Sequence, residues 1–199
     1  MILYIHGFRS RGNGKKTKAL QAYFPNEKVI SPSLTTNTFK DIQTLKDIIK
    51  AAVIKGERII VIGTSLGGFY AYYLSRAYCI PCVLINPCFN PSESLKDSIG
   101  IHTIYGSENP GNTLQETCEL TQEDLEYFKI LERHIYMPID RSSTSLINIM
   151  LSVDDEIINH AETLVKFKNC SIKLFNNAGH VFTKFDKILP DIKTILENQ

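Results

Sequence analysis

Short, almost unbroken apolar runs constrain this chain more than any other feature. They are ILYI at 2–5, IIVI at 59–62, CVLI at 82–85 and LINIMLSV at 146–153, with SIKLF at 171–175 as a more polar fifth. A strand with one wet face alternates apolar and polar residues; a run that is apolar throughout needs cover on both faces. Between the runs lie helical patterns. Residues 14–24 place Ala19, Leu20 and Tyr23 on one face. A capping box at Thr38 and Asp41 is followed by Ile42, Leu45, Ile49, Ala52 and Val53 at helical spacing, and Gly56 then stops the helix. A further helix runs to about Ala77, and a terminal one aligns Phe185, Ile188, Leu189, Ile192 and Leu196. With a short strand at Lys28–Ile30, this alternation predicts an α/β class: a mainly parallel sheet of about six strands, helices on both faces.

A chain of 199 residues suits a single domain that buries its core without metal or disulfide staples. Residues 87–145 break the rhythm and are expected to form a cap-like insertion at the strand ends, where the sites of open α/β sheets lie. Within it, Thr121 and Asp124 open a helix predicted over 122–133, whose Leu125, Phe128 and Leu131 face either the pocket or the body. The net charge of +1 argues against a dedicated nucleic-acid binder. No stretch approaches the ~18 apolar residues of a membrane span, and Met1 leads straight into ILYI without a signal-peptide core, so a cytoplasmic location is expected. The 5 cysteines are an odd number, which points to free thiols. Cys79 and Cys82 have C-x-x-C spacing, but no second pair accompanies them. They are expected to be structural, with no metal or cofactor.

The chemistry is signalled by Gly63-Thr64-Ser65-Leu66-Gly67, followed by Gly68, directly after IIVI and directly before FYAYYLSRA. A serine held in a tight strand-to-helix turn projects Oγ above the sheet, and the helix N-terminus faces developing negative charge. The alternative is a glycine-rich packing turn. His6-Gly7-Phe8 follows the first strand, a position that supplies an oxyanion donor. The N–H groups of Phe8 and Leu66 are the expected pair, with His6 as a structural histidine fixing the loop. Asp154-Asp155-Glu156-Ile157-Ile158 follows LINIMLSV. Asp155 is favoured as the acid that orients a histidine and Asp154 as a turn or N-cap residue, unless both only cap a helix. That helix is expected to turn Ile157, Ile158, Ala161 and Leu164 toward the sheet. Gly179-His180 follows SIKLF, which completes the order Ser, Asp, His, each after its own strand. His102, His134 and His160 have no such placement.

With these residues assembled, the chain resembles the small bacterial YqiA/YcfP-type esterase family of α/β-hydrolases. The match covers YIHGF at 4–8, GTSLGGFYA at 63–71, INP at 85–87, DEII at 155–158 and GHVFTKF at 179–185, with a looser stretch around SENP at 107–110. The resemblance implies a compact α/β-hydrolase fold in which Ser65, Asp155 and His180 form the triad. The full fold has eight strands; ILYI leaves no room for its first two, hence the expectation of about six. The implied partner is a small-molecule acyl ester or acyl-CoA thioester. An acyltransferase or peptidase would use the same triad, and a catalytically silent binding protein would use only the fold.

Nucleotide-binding readings fail on spacing. Gly12-Asn13-Gly14-Lys15-Lys16-Thr17 lacks the glycine five residues before Gly14 and has Lys16 where magnesium needs a hydroxyl. Ser65 replaces the middle glycine of a dinucleotide fingerprint. Arg9, Arg11, Lys15, Lys16 and Lys18 cluster just after Phe8; they are either an exposed basic face or an attraction for a phosphate-bearing leaving group.

Overall fold

The computed structural model describes residues 1–105, 116–135 and 137–198. The SENP stretch at 107–110 lies outside them. Six strands form one parallel sheet: β1 (Ile2–Ile5), β2 (Val29–Ile30), β3 (Ile60–Thr64), β4 (Cys82–Ile85), β7 (Ile147–Ser152) and β8 (Ser171–Phe175), in the order β2-β1-β3-β4-β7-β8. The direction of strand addition reverses between β1 and β3, and crevices at such reversals are where open sheets bind ligands.

The apolar runs are buried on both faces because alternate residues serve opposite helix layers. Leu3, Ile5, Val61, Leu84, Ile149 and Leu151 belong to one core with α2 (Thr38–Ile54), α3 (Leu66–Tyr78) and α5 (Gln122–Ile135). Ile2, Tyr4, Ile60, Ile62, Val83, Ile85 and Met150 belong to another with α1 (Lys15–Tyr23) and α8 (Phe185–Glu197). In α8, Phe185, Ile188, Leu189, Ile192 and Leu196 are all buried, as their spacing predicts. In α1 the prediction is half right: Leu20 is buried, but Tyr23 is exposed and Phe24 takes its place.

One further local prediction needs correction. The N-cap of α2 is Asn37, which accepts from the Lys40 amide, so Thr38 and Asp41 form no capping box. Asp41 instead accepts from the amides of Thr35 and Thr36, and the Thr38 amide donates to Asp124 at 2.8 Å. Asp124 also caps its own helix with Thr121 as predicted, so one carboxylate ties two helix starts together. The C-terminal signal of α2 holds: Gly56 has φ 66 and returns its amide to Val53.

The described residues of 87–145 hold more regular structure than their irregular sequence suggests. They contribute α4 (Pro91–Ser94), a 3₁₀ turn (Lys96–Ser98), an antiparallel pair β5 (Gly100–Thr103) and β6 (Thr117–Leu120), α5 and α6 (Arg141–Thr144). The pair was not predicted because Gly-Ile-His-Thr and Thr-Cys-Glu-Leu are short and mixed. It is held from outside itself: Tyr105 donates to the Arg9 carbonyl at 2.8 Å, and Thr36 Oγ1 donates to the Glu119 carbonyl. Helix α5 packs on the body. Its Leu125, Phe128 and Leu131 are buried, and Phe128 meets Phe69 edge-on at 5.6 Å. Among the described residues, no helix is long and apolar enough to cross a membrane. After α6 the chain enters β7 and then α7 (Ala161–Lys166).

Because Phe128 is core rather than pocket lining, Phe128→Ala is expected to cost about 3–5 kcal/mol of stability. Urea unfolding measures it.

Candidate active site

Ser65 sits at φ 55, ψ −119, between β3 and α3. A non-glycine residue there costs on the order of 1–3 kcal/mol and persists only when its surroundings over-determine it. They do. Its amide donates to Ile85 at 2.9 Å, and its carbonyl accepts from Gly68 at 2.8 Å and Cys88 at 3.1 Å. The flanking glycines are required by close approach. A Cβ on Gly63 would stand 2.0 Å from the Gly67 carbonyl oxygen, and one on Gly67 would stand 2.1 Å from that of Ile5.

The turn after β1 lies against this serine: a Cβ on Gly7 would stand 3.3 Å from Ser65 Cβ. His6 is buried and serves the loop. Its Nδ1 is 2.8 Å from the Gly7 carbonyl, and its Nε2 accepts from the Leu34 amide at 2.9 Å. Burial pushes its pKa down, against the pull of the Gly7 carbonyl. Phe8 follows, its ring edge-on to His102 at 5.2 Å. Three of the five cations beside it contact the protein itself. Arg9 donates Nε to the Thr103 carbonyl and lies over the Tyr105 ring, Arg11 faces Glu116, and Lys16 donates to the Val181 carbonyl.

Ser65, His180 and Asp155 meet. His180 Nε2 is 3.0 Å from Ser65 Oγ, and its Nδ1 is 3.0 Å from each Asp155 oxygen. The Asp155 side chain is almost wholly buried, only 1% exposed. Burial works against its charged form, but the Ile158 amide, His180 and the Ile157 amide outweigh it and hold the carboxyl below the usual range. Asp154 is a turn residue: Oδ1 accepts from Ser152 Oγ at 2.7 Å and from the Ala178 amide at 3.2 Å. The helix predicted from Asp155 does not begin there. Residues 155–160 stay irregular because Asp155 Oδ1 takes the Ile157 and Ile158 amides into its own turn, and α7 starts only at Ala161. Ile157, Ala161 and Leu164 are exposed instead of facing the sheet, Ile157 to 69%, and Ile158 is only partly buried.

Two residues that sequence reasoning passed over complete the arrangement. Asn86, fully buried at φ 42, donates Nδ2 to the carbonyls of Gly179 (2.9 Å) and His180 (3.1 Å). Its Oδ1 accepts from the Ser152 amide at 2.8 Å. One side chain thus joins the ends of β4 and β7 to the histidine loop. The available signal was an asparagine ending an apolar strand, a residue type that tolerates left-handed backbone. His160, set aside on placement, lies with Nε2 2.9 Å from Asp155 Oδ2.

A cleft of about 320 Å³ opens from Ser65. Pro87, Phe89 and Leu95 line it, together with Ile158, Thr163 and Lys166. Among the described residues of 87–145, those that line it fall within 87–95; the rest of the lining comes from Ser65 and from residues 157–166. Among the described residues no group of His, Cys, Asp and Glu could hold a metal ion. All five cysteines are free, with Cys82 buried in β4 and Cys79 exposed after α3.

Comparison with known proteins places this geometry in context. A family model described as an uncharacterised protein family, UPF0227, matches residues 1–197. A UPF0227 protein of Yersinia pseudotuberculosis serotype O:3 is 35% identical over 103 residues, a match spanning 50% of this chain and 57% of that relative. Among solved structures, Est1E from Butyrivibrio proteoclasticus has a TM-score of 0.62 at 15% identity, covering 99% of this chain and 86% of that one. A monoacylglycerol lipase of Paleococcus ferrophilus has a TM-score of 0.65 at 14% identity, covering 100% and 94%. The fold is that of the α/β-hydrolases.

Asn86→Leu would strand the Ser152 amide and two loop carbonyls in a buried place. It is expected to lower stability by about 2–4 kcal/mol and to loosen His180. Thermal unfolding and hydrogen exchange at residues 178–180 measure the two effects.

Proposed function

The chain belongs to the uncharacterised protein family UPF0227, and we propose that it is a serine hydrolase cleaving carboxylic esters through an acyl-enzyme. The observation that carries this is the continuous chain from Ser65 Oγ through His180 to buried Asp155, each link at 3.0 Å. In this mechanism His180 Nε2 takes the Ser65 proton as Oγ attacks the ester carbonyl. Asp155 holds Nδ1–H and stabilises the cation that forms. The amides of Phe8 and Leu66 receive the oxyanion, the second with the help of the α3 N-terminus. His180 then protonates the leaving alcohol, and water attacks the acyl-enzyme by the reverse path. The esterase and lipase names among proteins of like fold support an ester over a peptide.

Residues 1–199 act in this proposal as one catalytic domain, to which 87–145 contributes a pocket wall and the buttress of the Phe8 turn. A cleft of about 320 Å³ that mixes Pro87, Phe89, Leu95 and Ile158 with polar residues suits a small or medium acyl group. The engagement of Arg9, Arg11 and Lys16 with the protein itself favours a neutral ester over an acyl-CoA thioester.

Ser65→Ala is expected to abolish labelling by a fluorophosphonate and to lower kcat by on the order of 10⁴-fold or more. Undiminished hydrolysis by that variant would sink the proposal. Asp155→Asn is expected to lose about 10⁴-fold in kcat, and Asp154→Asn far less; equal losses would remove Asp155 from its role. Ile158→Trp narrows the cleft, so kcat/KM for a hexanoyl ester should fall roughly tenfold or more relative to the acetyl ester.

A further inference from the structure

We infer that His160 is a positioning residue of this site: its neutral imidazole donates Nε2–H to Asp155 Oδ2 and fixes the plane of the carboxylate against His180. The inference rests on the serine-hydrolase proposal above. It is drawn from how the two carboxylate oxygens are occupied. Oδ1 accepts the amides of Ile157 and Ile158, each at 2.9 Å. Oδ2 accepts His160 Nε2 at 2.9 Å, and His180 Nδ1 lies 3.0 Å from both. Each oxygen therefore has an anchor of its own, and His180 shares the pair. Without His160, Oδ2 keeps only the shared contact, and the plane of the carboxylate is set by Oδ1 alone.

The chemistry of His160 fits a dedicated donor. An ionised carboxylate only accepts, so the facing nitrogen carries the proton. Nδ1 is then a bare acceptor. It is buried and, among the described residues, has no hydrogen-bond partner. An imidazole kept for packing would bury that nitrogen at a cost an apolar side chain avoids. Its helix gives no other reason for it: His160 precedes α7 without a side-chain cap, and only its backbone carbonyl serves the helix, through Leu164.

Protonating His160 would bury a second N–H without an acceptor. Asp155 and His180 face the ring. Nearby, Asp154 is engaged with Ser152 and Ala178, and Glu156 with the His180 amide. Burial keeps His160 from protonating more strongly than Asp155 promotes it, so its pKa lies below the ordinary value. A neutral donor draws charge from Asp155 and weakens its hold on the His180 cation. Removing that donor strengthens the hold, so the acid limb of the kcat/KM profile moves to higher pH.

The test uses the full-length protein, with a fluorophosphonate and a short-chain nitrophenyl ester. His160→Phe is expected to lower kcat by on the order of 10–100-fold with KM little changed, and to move the acid limb up by about half a pH unit. His160→Gln, whose amide N–H reaches the same place, should restore most of both. A folded His160→Phe protein with wild-type kcat and acid limb overturns the inference, and so does a His160→Gln protein as impaired as His160→Phe. Nitrogen-15 NMR of the wild-type imidazoles decides the matter even if His160→Phe fails to fold. A neutral Nε2–H tautomer that persists below about pH 6, under the ~6.5 of a free imidazole, supports the inference; an Nδ1–H tautomer, or protonation at or above that pH, overturns it. If wild-type protein neither hydrolyses esters nor labels at Ser65, the functional proposal falls, and the same NMR measurement still judges the His160–Asp155 bond.

Discussion

The backbone of Ser65 is the constraint on which the rest depends. A left-handed φ in a residue with a Cβ is held only by neighbours on several sides. Here those neighbours are strand ends. Gly67 lies against the Ile5 carbonyl at the end of β1, the Ser65 amide is bonded to Ile85 at the end of β4, and its carbonyl receives Cys88. Three parallel strands must therefore end at one level before the turn can exist. That level is also where the sheet reverses its order, so the strained turn and the crevice that would receive a ligand coincide.

The opposite side of the site depends on a buried carboxylate. Removing Asp155 from water is costly unless its oxygens are satisfied. The chain satisfies them by leaving residues 155–160 out of a helix, which spends two amides on the carboxylate and exposes Ile157. The histidine loop is then pinned by groups from separate strand ends: Asp154 on Ala178, Glu156 on His180 and Asn86 on the carbonyls of Gly179 and His180. Rigidity of this kind lets a serine and an imidazole keep their geometry without reorganising when charge develops.

The segment between β4 and β7 divides its work. Its first residues, Pro87 to Leu95, border the cleft. The β5–β6 pair braces the turn that carries Phe8, through Arg9, Tyr105 and His102. Helix α5 adds to the core beside α3. A lid-like role for α5 would leave Phe69 and Tyr70 without their aromatic partner Phe128.

The pattern of residues along the chain sets the parallel sheet and its strand positions within a residue or two, and puts Ser65, the Asp154–Asp155 pair and His180 each just after a strand. Those features follow from local rules: apolar runs need two covered faces, a serine between glycines needs a strand before it and a helix after it, and ordered loops follow strand ends. Tertiary structure decided what depends on partners far apart in the chain. Asn86 is unremarkable until Ser152 and the loop at 179–180 arrive beside it. His160 reads as a helix residue until Asp155 is seen to withhold the preceding amides from the helix. The same holds for the direction faced by Phe128 and for the walls of the cleft. Hydrogen bonds and burial, unlike periodicity, leave no mark at either residue alone, because each is a relation between segments that only packing brings together.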